Sequence, residues 1–164
     1  MVTCVSTMSN GMASFTAQNV GAGKSDRISK GFLTSLIMSA CIALPVTAIY
    51  LIFGENLIYM FMKEPDAQAV AVGCGFLNIV APFYFSVTAK LNCDAVLKGA
   101  GAVKYFVITT FTDLIIRVVL AYLFADTLGA EGLWWCWPVG WVVSAVLSVV
   151  FYVRGHWKKH LNGI

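Results

Sequence analysis

A chain of 164 residues that is 59% hydrophobic and 12% charged, with mean hydropathy +0.80, is too apolar for an ordinary soluble domain. Such a domain carries about 25% charged and about 45–50% apolar residues. The net charge of +3 is too small to point to nucleic acid. The charges are clustered, and the apolar runs between them reach the roughly 20 residues that cross a bilayer as a helix. The composition therefore predicts an all-α, polytopic membrane helical bundle.

Five transmembrane helices are predicted in chain order. The first covers about 1–20 and is the least apolar, with Thr3, Ser6, Thr7, Ser9, Asn10, Ser14 and Thr16. The second covers 31–53. The segment 54–63 is too short to span; Leu57, Ile58, Phe61 and Met62 predict a short helix on the membrane surface. The third covers 66–97, the fourth 104–125 and the fifth 132–153. No basic stretch precedes the first segment, so no cleavable signal peptide is expected. Nor does a linker divide the chain, so 1–164 reads as a single membrane domain.

Lys and Arg set the orientation, because basic loops stay in the cytoplasm. Lys24, Arg27 and Lys30 mark the first loop, Lys98 and Lys104 the third, and Arg154, Lys158 and Lys159 the tail. The alternate loops carry Lys63 with Glu55, Glu64, Asp66, Asp126 and Glu131. This pattern places the N-terminus outside and the C-terminus inside a plasma membrane. Trp134, Trp135, Trp137 and Trp141 crowd the outer end of the fifth helix and Trp157 its inner end, where indoles favour the interface.

Small residues recur every fourth position at Gly31, Ser35, Ser39, Ala43 and Thr47, and again at Cys136, Gly140, Ser144 and Ser148. This spacing lets helix backbones approach closely in lipid. On the third helix Gly75, Asn78, Pro82, Ser86, Ala89 and Cys93 form a small or polar face, expected to turn inward. Phe76, Val80, Phe83, Val87 and Leu91 form the opposite, lipid-like face. The cysteines Cys4, Cys41, Cys74, Cys93 and Cys136 show no metal spacing and read as buried apolar thiols. His156 and His160 are four apart, but a basic tail attracting lipid head groups explains them better. No metal site or cofactor is expected, and no nucleophile–base pair or metal cluster points to an enzyme.

The stretch Gln18-Asn19-Val20-Gly21-Ala22-Gly23-Lys24-Ser25 ends like a phosphate loop. That motif needs a glycine where Gln18 stands and a strand before it, and the preceding segment is helical. Nucleotide binding is therefore not expected. The glycines instead end a helix and permit left-handed backbone.

Ionisable groups at membrane depth are functional candidates. Asp113 lies nine residues beyond Lys104, about 13 Å along a helix that crosses about 30 Å of hydrocarbon. Arg117 is one turn further and placed to pair with it. The pair reads first as an internal ion pair that neutralises two costly charges, and second as a proton, cation or substrate contact. Lys90 and Asp94 form a similar pair, with Lys90 within snorkelling reach of the interface. Asn78, Tyr84 and Thr88 are the polar groups nearer the middle of the third helix, beside a predicted kink at Pro82.

Four stretches together resemble the multidrug and toxic compound extrusion (MATE) transporters. They are Gln18, Asn19, Gly21 and Gly23 with Arg27 and Gly31; Leu97-Lys98-Gly99-Ala100-Gly101; Arg117-Val118-Val119-Leu120-Ala121-Tyr122; and Gly132-Leu133-Trp134-Trp135 with Pro138-Val139-Gly140-Trp141. The resemblance implies the last five helices, eight to twelve, of a fold with two six-helix lobes. It implies export of organic cations or other drugs in exchange for Na+ or H+. The first lobe and one helix of the second would then be missing, making the chain a fragment or an internally started gene product. Some sodium-coupled members carry an acid where Val87 stands, and a proton-coupled branch uses an aspartate of the first lobe, so the coupling ion stays unassigned. A small membrane scaffold or subunit completed by a partner chain is the alternative.

Overall fold

A computed structural model describes residues 1–62 and 66–158, and at 126–128 and 130 the backbone only. It contains α1 (Val2–Gly21), α2 (Ser25–Phe61), α3 (Ala67–Val80), a 3-10 turn (Ala81–Phe83), α4 (Tyr84–Gly99) and α5 (Val103–Val153). No strand occurs among the described residues. Among the described residues, four segments are long and apolar enough to cross a membrane: Ser25–Phe61, Ala67–Gly99, Val103–Ala125 and Glu131–Val153. The more polar α1 turns three of its hydroxyls back onto its own carbonyls. Thr7 donates to Thr3 O (3.0 Å), Ser14 to Asn10 O (3.2 Å) and Thr16 to Met12 O (2.8 Å). This local pairing lowers the cost of carrying hydroxyls in an apolar bundle.

Several boundaries differ from the sequence expectation. α2 begins at Ser25 rather than 31, because the turn before it is only three residues long. Its helical run breaks at Phe53 (φ −115°, ψ 15°), where the second helix was expected to end, and a short helical segment follows to Phe61 over the described part of the expected 54–63 helix. The third predicted helix is two helices: proline at 82 cannot donate to the helical ladder, and the chain takes a 3-10 turn there. The fourth and fifth predicted helices, by contrast, agree to within one residue: they are the two arms of α5, Val103–Ala125 and Glu131–Val153, joined at Gly129 (φ 59°, ψ −138°).

Arg117 and Gly140 would stand about 34 Å apart on a straight helix. Instead, a Cβ at Gly140 would lie 2.8 Å from Arg117 Cγ. The two arms therefore run antiparallel, and the non-helical glycine supplies the reversal.

Three helix ends close with the same motif. At the end of α1, Lys24 N donates to Asn19 O (2.9 Å) and Gly23 N to Val20 O (3.0 Å). Gly23 sits at φ 67°, the left-handed region that glycine enters without a Cβ clash. Ala102 N to Leu97 O (2.9 Å) repeats the pattern after α4, and His156 N to Phe151 O (3.3 Å) repeats it after α5. These ends meet around one apolar cluster containing Ile28, Leu97, Ala102 and Trp157. The exposed Lys24, Arg27, Lys98, Lys104, Arg154 and Lys158 ring that end of the bundle. Trp157, expected at the interface, is 2% exposed and donates Nε1–H to Tyr152 O (3.2 Å).

The centre of the bundle is α4, with nine of its 16 residues buried. It packs against α1, α2 and α5. The small-residue stripes make these contacts. Gly31 faces the Phe15 ring. Ser35 donates to Asn92 Oδ1 (2.6 Å), and Asn92 Nδ2 donates to Ser39 Oγ (3.2 Å). Cys136, Gly140, Ser144 and Ser148 are all buried.

The expected faces of the third helix are reversed over α3 and the start of α4. Val80 and Val87 are buried with Trp141, and Phe76, Phe83 and Leu91 pack around them. Asn78 and Pro82 are exposed. The aromatic rings of the second α5 arm make the apolar face the better packing partner. The cysteines are likewise mixed: Cys93 and Cys136 are buried, whereas Cys4 and Cys41 are exposed on this chain.

Candidate functional site

Among the described residues two charge pairs bind the bundle internally, one between the arms of α5 and one between α4 and both arms. The first is Asp113 with Arg117 on the first arm. Arg117 Nε donates to Asp113 Oδ1 (3.1 Å) and Nη2 donates to Oδ2, a two-pronged contact. The i,i+4 spacing predicted this pairing. The guanidinium also lies over the Trp137 ring, 4.6 Å from its centroid. A cation held both by a carboxylate and by an aromatic face is well compensated away from water. Gly140 makes the approach possible, since its absent Cβ would lie 2.9 Å from Asp113 Oδ1.

The second pair is Lys90 with Asp94 on α4. The Lys90 side chain was expected to snorkel to the interface; instead Lys90 is 8% and Asp94 3% exposed, with Nζ 2.6 Å from Oδ2. The remaining oxygen Oδ1 accepts from Thr109 Oγ1 (3.0 Å) and Ser148 Oγ (2.7 Å). Asp94 thus joins α4 to both arms of α5. The sequence carried a signal for it: Ser148 closes the small-residue stripe, and a hydroxyl there can donate into the bundle.

The other candidates are spread more widely. Thr88 is fully buried and donates to Tyr84 O (2.9 Å), and Asn92 Nδ2 donates to Thr88 O (2.9 Å). Tyr84 packs against Trp141 (ring centroids 5.8 Å) and Tyr50 (6.0 Å). Trp141 adjoins Gly140, so Tyr84 and the Asp113–Arg117 pair flank neighbouring residues of the second arm. Asn78 stays apart, on a polar cavity of about 210 Å³ shared with Tyr50, Glu55 and Cys74.

In the glycine-rich loop Gln18, Gly21, Gly23 and Arg27 are exposed. Asn19 is buried and donates to Phe15 O (2.8 Å). The loop geometry is that of a helix end, as the sequence predicted.

Among the described residues no group of three His, Cys, Asp or Glu side chains could hold a metal ion. His156 packs against Tyr105 (4.2 Å) and Phe151 (5.4 Å). His160, Lys63, Glu64 and Lys159 lie outside the described residues, as does the side chain of Asp126.

The MatE family model matches residues 1–123. The chain is 26% identical over 146 residues to the probable multidrug resistance protein YpnP of Bacillus subtilis, covering 88% of this chain and 32% of that protein. It is 30% identical over 151 residues to the probable multidrug resistance protein NorM of Pasteurella multocida, covering 86% and 31%. It spans about a third of the length of these relatives. Its fold matches that of a MOP superfamily transporter from Pyrococcus furiosus, with TM-score 0.81 and 22% identity over 93% of this chain and 34% of the other. An inward-facing multidrug resistance MATE family transporter matches with TM-score 0.80 and 22% identity over 94% and 36%. Those likenesses show the shared fold, and the family match shows the kinship. The chain belongs to the MatE family of membrane transporters.

Proposed function

We propose that the chain forms part of a multidrug exporter, contributing five helices of one lobe of an alternating-access transporter. In this reading the lobe rocks against a second lobe around a central site. It exports organic cations or other drug-like molecules in exchange for Na+ or H+. The observation that carries the reading is the family match together with relatives named multidrug resistance proteins. The Asp113–Arg117 pair, Tyr84 and Thr88 are the proposed pathway residues; Asn78 has its own polar cavity. Basic residues gathered at one end support a cytoplasmic placement of that end, with the N-terminus outside.

A lobe replacement tests the proposal. The matching segment of the Pasteurella relative is exchanged for residues 1–164, and ethidium efflux is measured in a pump-deficient bacterium. Restored efflux supports the reading. A well-expressed, membrane-inserted chimaera without efflux counts against it. The chain expressed alone provides a second arm. Efflux there only when a separate second lobe is co-expressed favours the alternative, a subunit completed by a partner.

A further inference from the structure

The polar cavity that Asn78 lines lies at the end of the bundle opposite the basic ring. From Ser25, beside that ring, α2 rises about 42 Å before its break at Phe53. This exceeds the roughly 30 Å of a hydrocarbon core, so the break stands at the level of lipid head groups. Around it Ile52, Phe53, Met60 and Phe61 are strongly exposed apolar residues, which suits contact with lipid.

The break shapes the cavity. Gly54 is buried, and a Cβ there would lie 3.4 Å from Leu77 Cδ1, so α2 comes close to α3 at this point. The cavity holds about 210 Å³, and its polar lining is Tyr50, Glu55, Cys74 and Asn78. Glu55 is the charged residue of that lining, and among the described residues no cation pairs with it. A second, largely apolar cavity of about 310 Å³ adjoins the first. The two share Tyr50 and Leu77, and Leu57, Ile58, Phe61 and Met62 line the second.

We infer that the two cavities together bind an aminophospholipid from the leaflet at that end, with its ammonium on Glu55 and the start of an acyl chain in the apolar cavity. A primary ammonium donates charge-assisted hydrogen bonds to the Glu55 carboxylate and a hydrogen bond to Asn78 Oδ1. Asn78 Nδ2 and the Tyr50 hydroxyl are the donors for the adjacent phosphate. A choline head group has no N–H to donate. An anionic head group without an ammonium is repelled by Glu55. The exposed apolar rim opens the site to the surrounding leaflet, which supplies the ligand. The inference stands on the paired cavities and on Glu55, and it does not rest on the export reading.

The test is native mass spectrometry of the purified 164-residue chain in detergent at neutral pH. Dioleoyl phosphatidylethanolamine, phosphatidylcholine and phosphatidylglycerol are each titrated. One phosphatidylethanolamine is expected to bind about tenfold more tightly than either of the others, the difference that one charge-assisted hydrogen bond supplies. Glu55→Gln, at an exposed position, should abolish that preference, and Asn78→Leu should weaken it. Circular dichroism checks that each variant is folded. Equal binding of the three lipids to the wild-type chain overturns the inference, as does an unchanged preference in Glu55→Gln. Dodecylamine separates the sources of an ammonium: tight binding of this soluble amine without a preference among the lipids also overturns the lipid assignment. Because no transport is measured, failure of the export reading would leave this result unchanged.

Discussion

Gly140 and Asp113 are fitted to each other across the two arms of α5: a methyl group on Gly140 would stand 2.9 Å from Asp113 Oδ1 and 2.8 Å from Arg117 Cγ. The glycine belongs to a stripe of small residues, and here its size serves a charge pair rather than a bare backbone contact. Gly140→Ala is expected to push the pair away from Trp137 and to destabilise the fold by about 1–3 kcal/mol. Thermal unfolding in detergent, followed by circular dichroism, measures it. An unchanged midpoint would show that the arms can separate without loss.

The Asp113–Arg117 pair itself is expected to behave as a unit. Asp113→Asn leaves a largely buried guanidinium without its counter-charge, and breaking a buried pair costs about 3–5 kcal/mol. Arg117 is a quarter exposed, which moves the expectation to the lower end. Asp113→Asn combined with Arg117→Met should recover part of that loss, because both charges are gone. A double-mutant cycle on unfolding midpoints reads the coupling. In an efflux-active transporter containing this segment, normal efflux by a well-expressed Asp113→Asn variant would remove Asp113 from the transport mechanism.

Gly99 and Gly11 predict opposite outcomes for the same substitution. A Cβ at Gly99 would collide with Ala13 O of α1 and lie 2.8 Å from Thr16 Cβ. Gly99→Ala must therefore drive α1 from α4, with an expected loss of about 1–3 kcal/mol or more. Gly11 has nothing within 4 Å of the same position. Gly11→Ala is expected to stabilise α1 by up to about 1 kcal/mol through helix propensity. Comparing the two melting midpoints separates packing from propensity.

Asn92 ties α2 to α4 through Ser35 and Ser39. Asn92→Leu keeps approximate bulk but removes every hydrogen bond of the side chain, leaving Ser39 buried without that partner. A loss of about 1–3 kcal/mol is expected. Adding Ser39→Ala should reduce the additional penalty, because the orphaned hydroxyl is then removed as well. Equal midpoints for the single and double variants would show that Ser39 finds another partner.

Long apolar runs and their polar breaks made the helices legible in the sequence, since only helices or closed barrels satisfy the backbone in lipid. The i,i+4 spacing made the Asp113–Arg117 pair legible because it is local. The glycine-rich loop was legible as a helix end for the same reason, and Gly23 adopts the left-handed conformation expected. Partner choice was less legible. The faces of the third predicted helix were reversed because Trp141, sixty-one residues after Val80, decides which face is covered. Lys90 was misplaced because its burial depends on hydroxyls from Thr109 and Ser148 that accompany its counter-ion. In a membrane both polar and apolar faces can meet protein, so periodicity alone does not say which does.

The reversal at Gly129 acts as a ruler. Thr109 and Ser148 reach the same carboxylate oxygen from places nearly equidistant from that glycine along the chain, and Arg117 reaches Trp137 across the same reversal. One added residue in the second arm would turn everything beyond it by about 100°. Ser148 would then rotate away from Asp94 and Trp137 from Arg117 together. A single-residue insertion between the arms should thus disconnect two distant charge pairs at once, while inserting three or four residues, close to a full helical turn, should restore their facing directions.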